Sequence, residues 1–170
     1  MFCACIVSVT NAQVTITLKI VDGSGVVLKG ESTLKNHPNE ILAESYGQDN
    51  SANCSTGSSG SGGGVCKAVA GNFIFNIPTQ AATLSLKQYL FQGKTLKSLD
   101  AYFIKPGETP FDFYKIHLDN ITVKQVTEGY TTGNRPTDQV AFSAQKITWT
   151  YYNQKPDGTV GSSTTVTVTP

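Results

Sequence analysis

Histidine and cysteine are the residue types with which this chain could bind a metal or carry out redox chemistry. His37 precedes a proline in a predicted loop, and His117 lies in a predicted strand. Neither histidine has a cysteine or a carboxylate at the spacings typical of metal sites. Cys54 and Cys66 do not form the Cys-x-x-Cys motif of redox-active thiols. The sequence therefore predicts neither a metal site nor a cofactor.

The common catalytic motifs are also missing from the sequence, which has no Gly-x-Ser-x-Gly, His-Glu-x-x-His or Walker pattern. Glu40 and Glu44 lie on a predicted strand, where residues four apart are separated by about 13 Å. That spacing favours two solvated charges over an acid/base pair. Trp149, Tyr151 and Tyr152 could form a sugar-binding platform, although aromatic residues of this kind more often belong to a core or an interface. We therefore expect a structural or binding protein and not an enzyme.

A Gly/Ser-rich segment, residues 47–72, contains Cys54 and Cys66. A disulfide between them would close a loop of about 13 residues and stabilise the fold by about 3 kcal/mol. We interpret the segment as an extended loop or hairpin and not as a domain boundary. A phosphate-binding loop is disfavoured, because Val65–Ala68 lacks the Lys-Ser/Thr pair that must follow the glycines.

Residues 1–12 resemble the end of a secretory signal peptide, with an apolar stretch followed by small residues and a cleavage point after Ala12. The segment is short and has no basic start, so an ordinary first strand from Ile6 is the alternative. Cleavage would remove Cys3 and Cys5 and leave one cysteine pair, as expected of an exported protein. The predicted location is secreted or extracellular, with export through the periplasm as one route.

The composition indicates one domain of 170 residues, long enough to bury a core. The 13 basic and 12 acidic side chains nearly cancel, so no long-range field attracts nucleic acid or an anionic membrane. No apolar run approaches the roughly 20 residues of a membrane-spanning helix. Neither nucleic acid nor membrane is therefore an expected partner.

One helix is predicted, over about residues 83–92. Thr83 is a suitable N-cap, and Gly93 lies where a left-handed C-cap is expected. Leu86, Tyr89 and Leu90 form one apolar stripe. Because so short a helix is marginal alone, we expect this stripe to dock on a sheet.

The rest of the chain shows the alternating pattern of strands. Two long strands change the parity of their apolar residues, which predicts bulges near Asp119–Asn120 and Ala144–Gln145. The sequence predicts a mainly β fold, an antiparallel barrel of two sheets with one docked helix, over residues 13–160. Residues 161–170 are expected to form a tail or an edge strand.

Several motifs occur in a characteristic order, namely Gly30–Ser32, Glu40–Tyr46, Asn72–Phe75, the helix closing on Gly93–Lys94, Phe113–Val123, Arg135–Pro136, Asp138–Tyr151 and Gln154–Gly158. This order resembles the hemolysin-coregulated protein (Hcp) family, the tube subunits of bacterial type VI secretion systems. The resemblance covers residues 14–160.

The resemblance implies a barrel that assembles into homo-hexameric rings, which stack into a tube that delivers effectors. Sheath, spike and small effector proteins are the implied partners. In the family, the loop equivalent to 47–72 reaches toward neighbouring subunits or rings. The corresponding interface candidates here are Tyr46, Gly47, Gln48, Lys67 and Asn72.

Three features depart from the family: the signal-like residues 1–12, the cysteines of the extended loop, and the Thr/Val-rich residues after Gly158. They leave two alternatives open, which use the same barrel. One is a stand-alone extracellular filament. The other is a secreted binding or adhesion module that uses loop 47–72 and the aromatic residues near Trp149.

Overall fold

The computed structural model describes residues 13–55, 65–107, 109–130 and 132–170. The signal-like segment 1–12 and the glycine-rich residues 56–64 of the predicted loop lie outside the described residues.

Ten strands and one helix follow one another in the described part of the chain. They are β1 (Thr15–Val21), β2 (Thr33–Leu34), β3 (His37–Pro38), β4 (Ile41–Ala43), β5 (Ser45–Ser55), β6 (Val65–Pro78), α1 (Ala81–Gln92), β7 (Thr95–Lys105), β8 (Phe111–Gly129), β9 (Thr137–Gln154) and β10 (Val160–Val168).

Eight strands form one antiparallel sheet in the order β4-β1-β7-β8-β9-β6-β5, with β10 paired to β9 beside that path. The strands at the two ends of this order, β4 and β5, are separated along the chain by Glu44 alone. The amide of Glu44 donates to the carbonyl of Asn76 in β6 over 2.8 Å. The sheet therefore curls until its ends meet in one bent segment. This confirms the predicted mainly β fold, with β2 and β3 forming the small second sheet.

The concave side of the curled sheet holds the hydrophobic core. Ile16, Leu18 and Ile20 of β1 lie opposite Phe103, Ala101 and Leu99 of β7, and all six are buried. The largest fully buried side chains elsewhere include those of Phe73, Phe75, Phe142, Ile116 and Leu118. The period-two alternation of these strands directs one set of side chains inward.

The helix begins earlier than predicted. Its N-cap is Gln80, and Thr83 is the third helical residue. The Thr83 hydroxyl accepts from the Gln80 amide over 3.2 Å and donates to the Gln80 carbonyl over 2.8 Å. Thr83 therefore caps the helix from within its first turn. The predicted C-cap is confirmed, because Gly93 has a left-handed φ of 61°.

The predicted changes of parity occur at facing positions of β8 and β9. The buried residues change parity between Leu118 and Ile121 in β8, and between Phe142 and Ile147 in β9. Asn120 lies at this change in β8 and has a φ of 48°. Its side-chain amide donates to Gln145 Oε1 over 3.3 Å. The register is the same on both sides of this point, so the predicted positions of the bulges, near Asp119–Asn120 and Ala144–Gln145, are wrong. The register shift between these strands lies later, between Val123 and Gln125.

The described part of segment 47–72 is mostly paired strand. Beyond Gln48, β5 and β6 continue as a two-stranded ribbon, since β6 pairs with β9 only over Phe73–Pro78. We call residues 49–55 and 65–72 the arm. A register shift at Asp49 marks its base, where a Cβ on Gly71 would lie 1.7 Å from the Asp49 carbonyl oxygen.

Candidate assembly surfaces

The helix has one face on the barrel and one face in solvent. Leu86 is fully buried together with Ala82 and Thr83. Tyr89 and Leu90, the other residues of the predicted docking stripe, are partly buried and pack against the core. The structure thus places all three residues of that stripe on the inner side.

The outer face of α1 presents two large apolar side chains to solvent. Leu84 is 60% exposed and Phe91 is 88% exposed. They lie about two turns apart, which puts them on the same side of the helix. Exposed apolar side chains grouped in this way are typical of interaction surfaces.

Lys87 connects the helix to the sheet. Its ammonium lies 3.1 Å from Oδ1 of the fully buried Asp138 at the start of β9, and it also contacts the Glu128 carboxylate. Burial raises the pKa of Asp138, but the polar groups of Thr83, Lys87 and Thr79 outweigh burial and leave that pKa below its usual value. Burial likewise lowers the pKa of Lys87, and the two carboxylates reverse this and raise it. The pair is therefore ionised in the folded protein.

The five interface candidates lie in two environments. Tyr46 lies in β5 just before the arm, where its ring centroid is 5.1 Å from that of Phe75 and 5.4 Å from that of Phe103. Burial raises the pKa of Tyr46, and its hydroxyl donates to Gln48 Oε1 over 2.9 Å. Tyr46 thus contributes to the core. Gly47, Lys67 and Asn72 are exposed, and Gln48 is half-buried.

Cys54 and Cys66 are directly opposite each other in the register of β5 and β6. Opposed residues of an antiparallel pair have Cα atoms about 4.5–5.5 Å apart, and disulfides span about 4.4–6.8 Å. The pairing of the strands is therefore compatible with the predicted disulfide.

The last strand, β10, adds an exposed edge to the sheet. Three of its residues are exposed apolar side chains, with Val160 at 56%, Val166 at 54% and Val168 at 38% exposure. Among the described strands, β10 pairs with β9 alone. The opposite edge of β10 therefore carries unpaired backbone groups among the described residues, which is the arrangement that edge-to-edge pairing requires.

Each histidine lies between two carboxylates, one close to it along the chain and one from another strand. His37 contacts Glu40 and Asp112, and His117 contacts Asp100 and Asp119. In each case the two carboxylates contact different ring nitrogens, so they do not converge on one point. Within the described residues, no group of three or more histidine, cysteine or acidic side chains could hold a metal ion.

The other candidates for chemistry are placed separately. Glu40 is buried against His37, whereas Glu44 is exposed at the junction of β4 and β5. Trp149 is partly buried and packs against the core, while Tyr151 is 49% exposed. Trp149 therefore contributes to the packing of the core, and the sugar-binding platform stays a prediction.

The family is decided by a match to a protein-family model. Residues 17–151 match the family described as "Type VI secretion system effector, Hcp". The chain belongs to the Hcp family. No curated protein matches its sequence.

Solved structures with the same Hcp fold cover nearly the whole chain. One described as a type six secretion system protein is 22% identical, with a TM-score of 0.78, and the alignment covers 89% of this chain and 92% of that one. Hcp1 from Salmonella typhimurium is 21% identical, with a TM-score of 0.70 and coverages of 92% and 94%. A type VI secretion system effector from Yersinia pestis is 22% identical, with a TM-score of 0.69 and coverages of 91% and 99%.

No helix among the described residues is both long and apolar enough to cross a membrane.

Proposed function

We propose that this Hcp-family protein is a structural subunit that assembles into hexameric rings, and that the rings stack into a tube. The observation that carries the proposal is the family match over residues 17–151, together with a barrel that has the Hcp fold over about nine-tenths of the chain. A tube subunit needs surfaces for self-association and no catalytic site.

Three described surfaces suit contacts between copies of the chain. The first is the outer face of α1, with Leu84 and Phe91 exposed. The second is the exposed edge of β10, which can extend a sheet by backbone hydrogen bonds. The exposed candidates of the arm, Lys67 and Asn72, supply a third contact directed at a neighbouring subunit or ring.

The proposed partners follow from the proposed tube. Copies of this chain are the main partner, sheath and spike proteins act on the outside and tip of the tube, and small effector proteins travel in its lumen. The tube delivers its contents outside the cell, so the subunit itself becomes extracellular. The nearly neutral charge of the chain is consistent with an assembly that binds neither nucleic acid nor membrane.

We further propose that a Cys54–Cys66 disulfide stiffens the arm in an oxidising compartment. The opposed register of the two cysteines supports it. A covalent link near the end of the ribbon would hold the exposed arm in one conformation before it meets a neighbour. This reduces the conformational entropy that binding must otherwise remove.

Electron microscopy of the purified protein, combined with light scattering after size exclusion, tests the proposal. We expect six-fold rings and a mass of six subunits at high protein concentration. A chain with Leu84→Glu and Phe91→Glu is expected to fold and to lose rings, while Val26→Glu, at an exposed valine of a separate turn, is expected to keep them. A strictly monomeric wild-type protein at millimolar concentration would contradict ring assembly. Sheath and spike genes beside the gene would separate a contractile machine from a stand-alone filament.

A further inference from the structure

His37 anchors the small hairpin of β2 and β3 on the barrel. The residue is 5% exposed, while Lys35, Asn36 and Pro38 around it are exposed. Its ring lies against that of Tyr102 in β7, with the ring centroids 4.6 Å apart. The hairpin is thus held on the barrel by a titratable side chain.

Both nitrogens of this ring contact carboxylates. Nδ1 lies 3.0 Å from Oε2 of Glu40, which follows the hairpin and is itself 9% exposed. Nε2 lies 3.1 Å from both carboxylate oxygens of Asp112, at the start of β8. The histidine therefore bridges the hairpin side and the barrel side of this contact.

The number of N–H groups decides when this bridge is complete. An ionised carboxylate only accepts hydrogen bonds, and a neutral imidazole has a single N–H to donate. A neutral ring can therefore donate to only one of the two carboxylates, whereas the imidazolium can donate to both. With a neutral ring, one nitrogen lone pair faces a carboxylate oxygen, which is unfavourable. Asp112, whose side chain is 36% exposed, can then accept from water, whereas Glu40, whose side chain is 11% exposed, needs the N–H of the ring.

We propose that His37 is a protonation-dependent clasp that closes hairpin 33–38 onto the barrel. The protonated ring holds Glu40 and Asp112 together, and the neutral ring releases one of them. The clasp is closed while the ring carries both protons and opens when the ring loses one of them. This inference does not depend on ring assembly.

The other charged groups nearby do not replace the histidine. The Lys115 ammonium lies 5.0 Å from the centroid of the Tyr102 ring, but it is paired with Asp100 at 2.9 Å. Lys35 lines the same cavity as His37 and is exposed. The His37 ring is therefore the buried group that can place a cation between these two carboxylates.

Opening the clasp would change one cavity and leave the hairpin base in place. A cavity of about 270 Å³ is lined by Leu34 and Asn36 on the hairpin side and by Ile104 and Pro110 on the barrel side. At the base, the Gly30 amide donates to the Asn39 carbonyl and the Ser32 amide donates to the Glu40 carbonyl. Release of His37 would therefore widen this cavity while these backbone bonds persist.

His117 provides a matched comparison. Its ring also bridges two carboxylates, Asp100 at 2.7 Å and Asp119 at 3.0 Å. Its side chain is 34% exposed, and it lies inside β8, where it joins strands that already share a continuous ladder. A change in the protonation of His117 is not expected to affect hairpin 33–38.

Hydrogen exchange of the full chain, followed by mass spectrometry between about pH 5 and pH 8, tests the clasp. After correction for the intrinsic rate, protection of a peptide spanning 33–38 should fall about tenfold or more as the pH rises, the factor for one charged hydrogen bond. Protection that stays flat across this range would overturn the proposal.

Three variants sharpen the test. In Asp112→Asn the amide can donate to a neutral ring, so protection should stay high and independent of pH. In His37→Gln protection should be low and independent of pH. In His117→Gln the wild-type pH dependence should remain. A pH dependence that survives in Asp112→Asn, or that vanishes in His117→Gln, would overturn the assignment to His37.

Discussion

The Lys87 ammonium lies 3.1 Å from Oδ1 of Asp138, and this ion pair fastens the only helix of the described chain to the start of β9. Asp138 has no exposed surface, whereas the second partner of Lys87, Glu128, has a side chain that is 71% exposed. The buried pair and the surface pair thus share one ammonium. The buried pair should account for most of the energetic effect, because exposed ion pairs contribute little.

Asp138→Asn should destabilise the fold by about 3 kcal/mol, because it removes one partner of a buried charge pair. The measurement is the free energy of unfolding in urea. The control is Lys146→Met, since the Lys146 ammonium is 3.9 Å from Asp119 and its side chain is 53% exposed. That change should cost less than about 1 kcal/mol. Equal effects of the two substitutions would contradict the assigned role of Asp138.

The same ion pair predicts how stability depends on pH. The pKa of Asp138 is lower in the folded protein than its ordinary value of 3.8. Its ionised form therefore stabilises the fold fully above that ordinary value, and this contribution is lost as the pH falls through the folded-state pKa. The free energy of unfolding, measured from neutral to acid pH, should decline less steeply below about pH 4 in Asp138→Asn than in the wild type. An equally steep decline of the free energy of unfolding in both proteins would contradict this linkage.

Leu86 and Leu84 lie on opposite sides of the same helix and form a matched pair of substitutions. Leu86→Ala should cost about 2–5 kcal/mol, because it leaves a cavity under a fully buried residue. Leu86→Asp should prevent folding. Leu84→Ala, at 60% exposure, should change stability by less than about 1 kcal/mol. Thermal and urea unfolding of the two alanine variants measure the difference. Similar losses of stability in both variants would contradict the assignment of Leu86 to the docking face.

The sequence could predict the helix because its signals are local. Leu86 and Leu90 recur at helical spacing, and Gly93 follows the last apolar residue. Its start was predicted too late, at Thr83, because threonine is a common N-cap. The structure instead uses Gln80, whose amide donates to the Thr83 side chain. The sequence thus indicated that Thr83 takes part in capping. It could not show that the Thr83 hydroxyl reaches back to the Gln80 amide instead of accepting from an amide that follows it.

One carboxylate partner of each histidine could not be predicted, because its proximity depends on the closed sheet. The other partners, Glu40 and Asp119, lie only three and two positions away along the chain. His37 and Asp112 are 75 positions apart, and they meet only because the hairpin folds over the start of β8. His117 meets Asp100 because the two face each other across β7 and β8. A search for short ligand spacings along the chain does not detect either pair. The two changes of parity were visible in the sequence. That they lie opposite each other, at Asn120 and Gln145, is shown only by the register of β8 and β9.

Gly71→Ala should strain the base of the arm, because its Cβ would lie 1.7 Å from the Asp49 carbonyl oxygen. We expect a loss of about 1–3 kcal/mol or a local shift of the register between β5 and β6. The control is Gly47→Ala in the facing strand, where a Cβ would meet nothing within 4 Å. Urea unfolding gives the energy, and hydrogen exchange of the arm locates the change. An effect of Gly47→Ala as large as that of Gly71→Ala would refute this steric explanation.

The exported protein should contain a Cys54–Cys66 disulfide. The two residues are paired in the register of β5 and β6, so the link requires no rearrangement of the ribbon. Intact mass after alkylation should show both thiols protected until a reductant is added, and peptide mapping should recover the linked pair.

Reduction, or a Cys54→Ser and Cys66→Ser variant, should destabilise the fold by about 3 kcal/mol at most. The loss should be smaller if only the ribbon unfolds, because Ala70 is the one described residue of the arm that packs against the core. Two alkylated thiols in the protein recovered from the medium would refute the disulfide while leaving the ring proposal untouched.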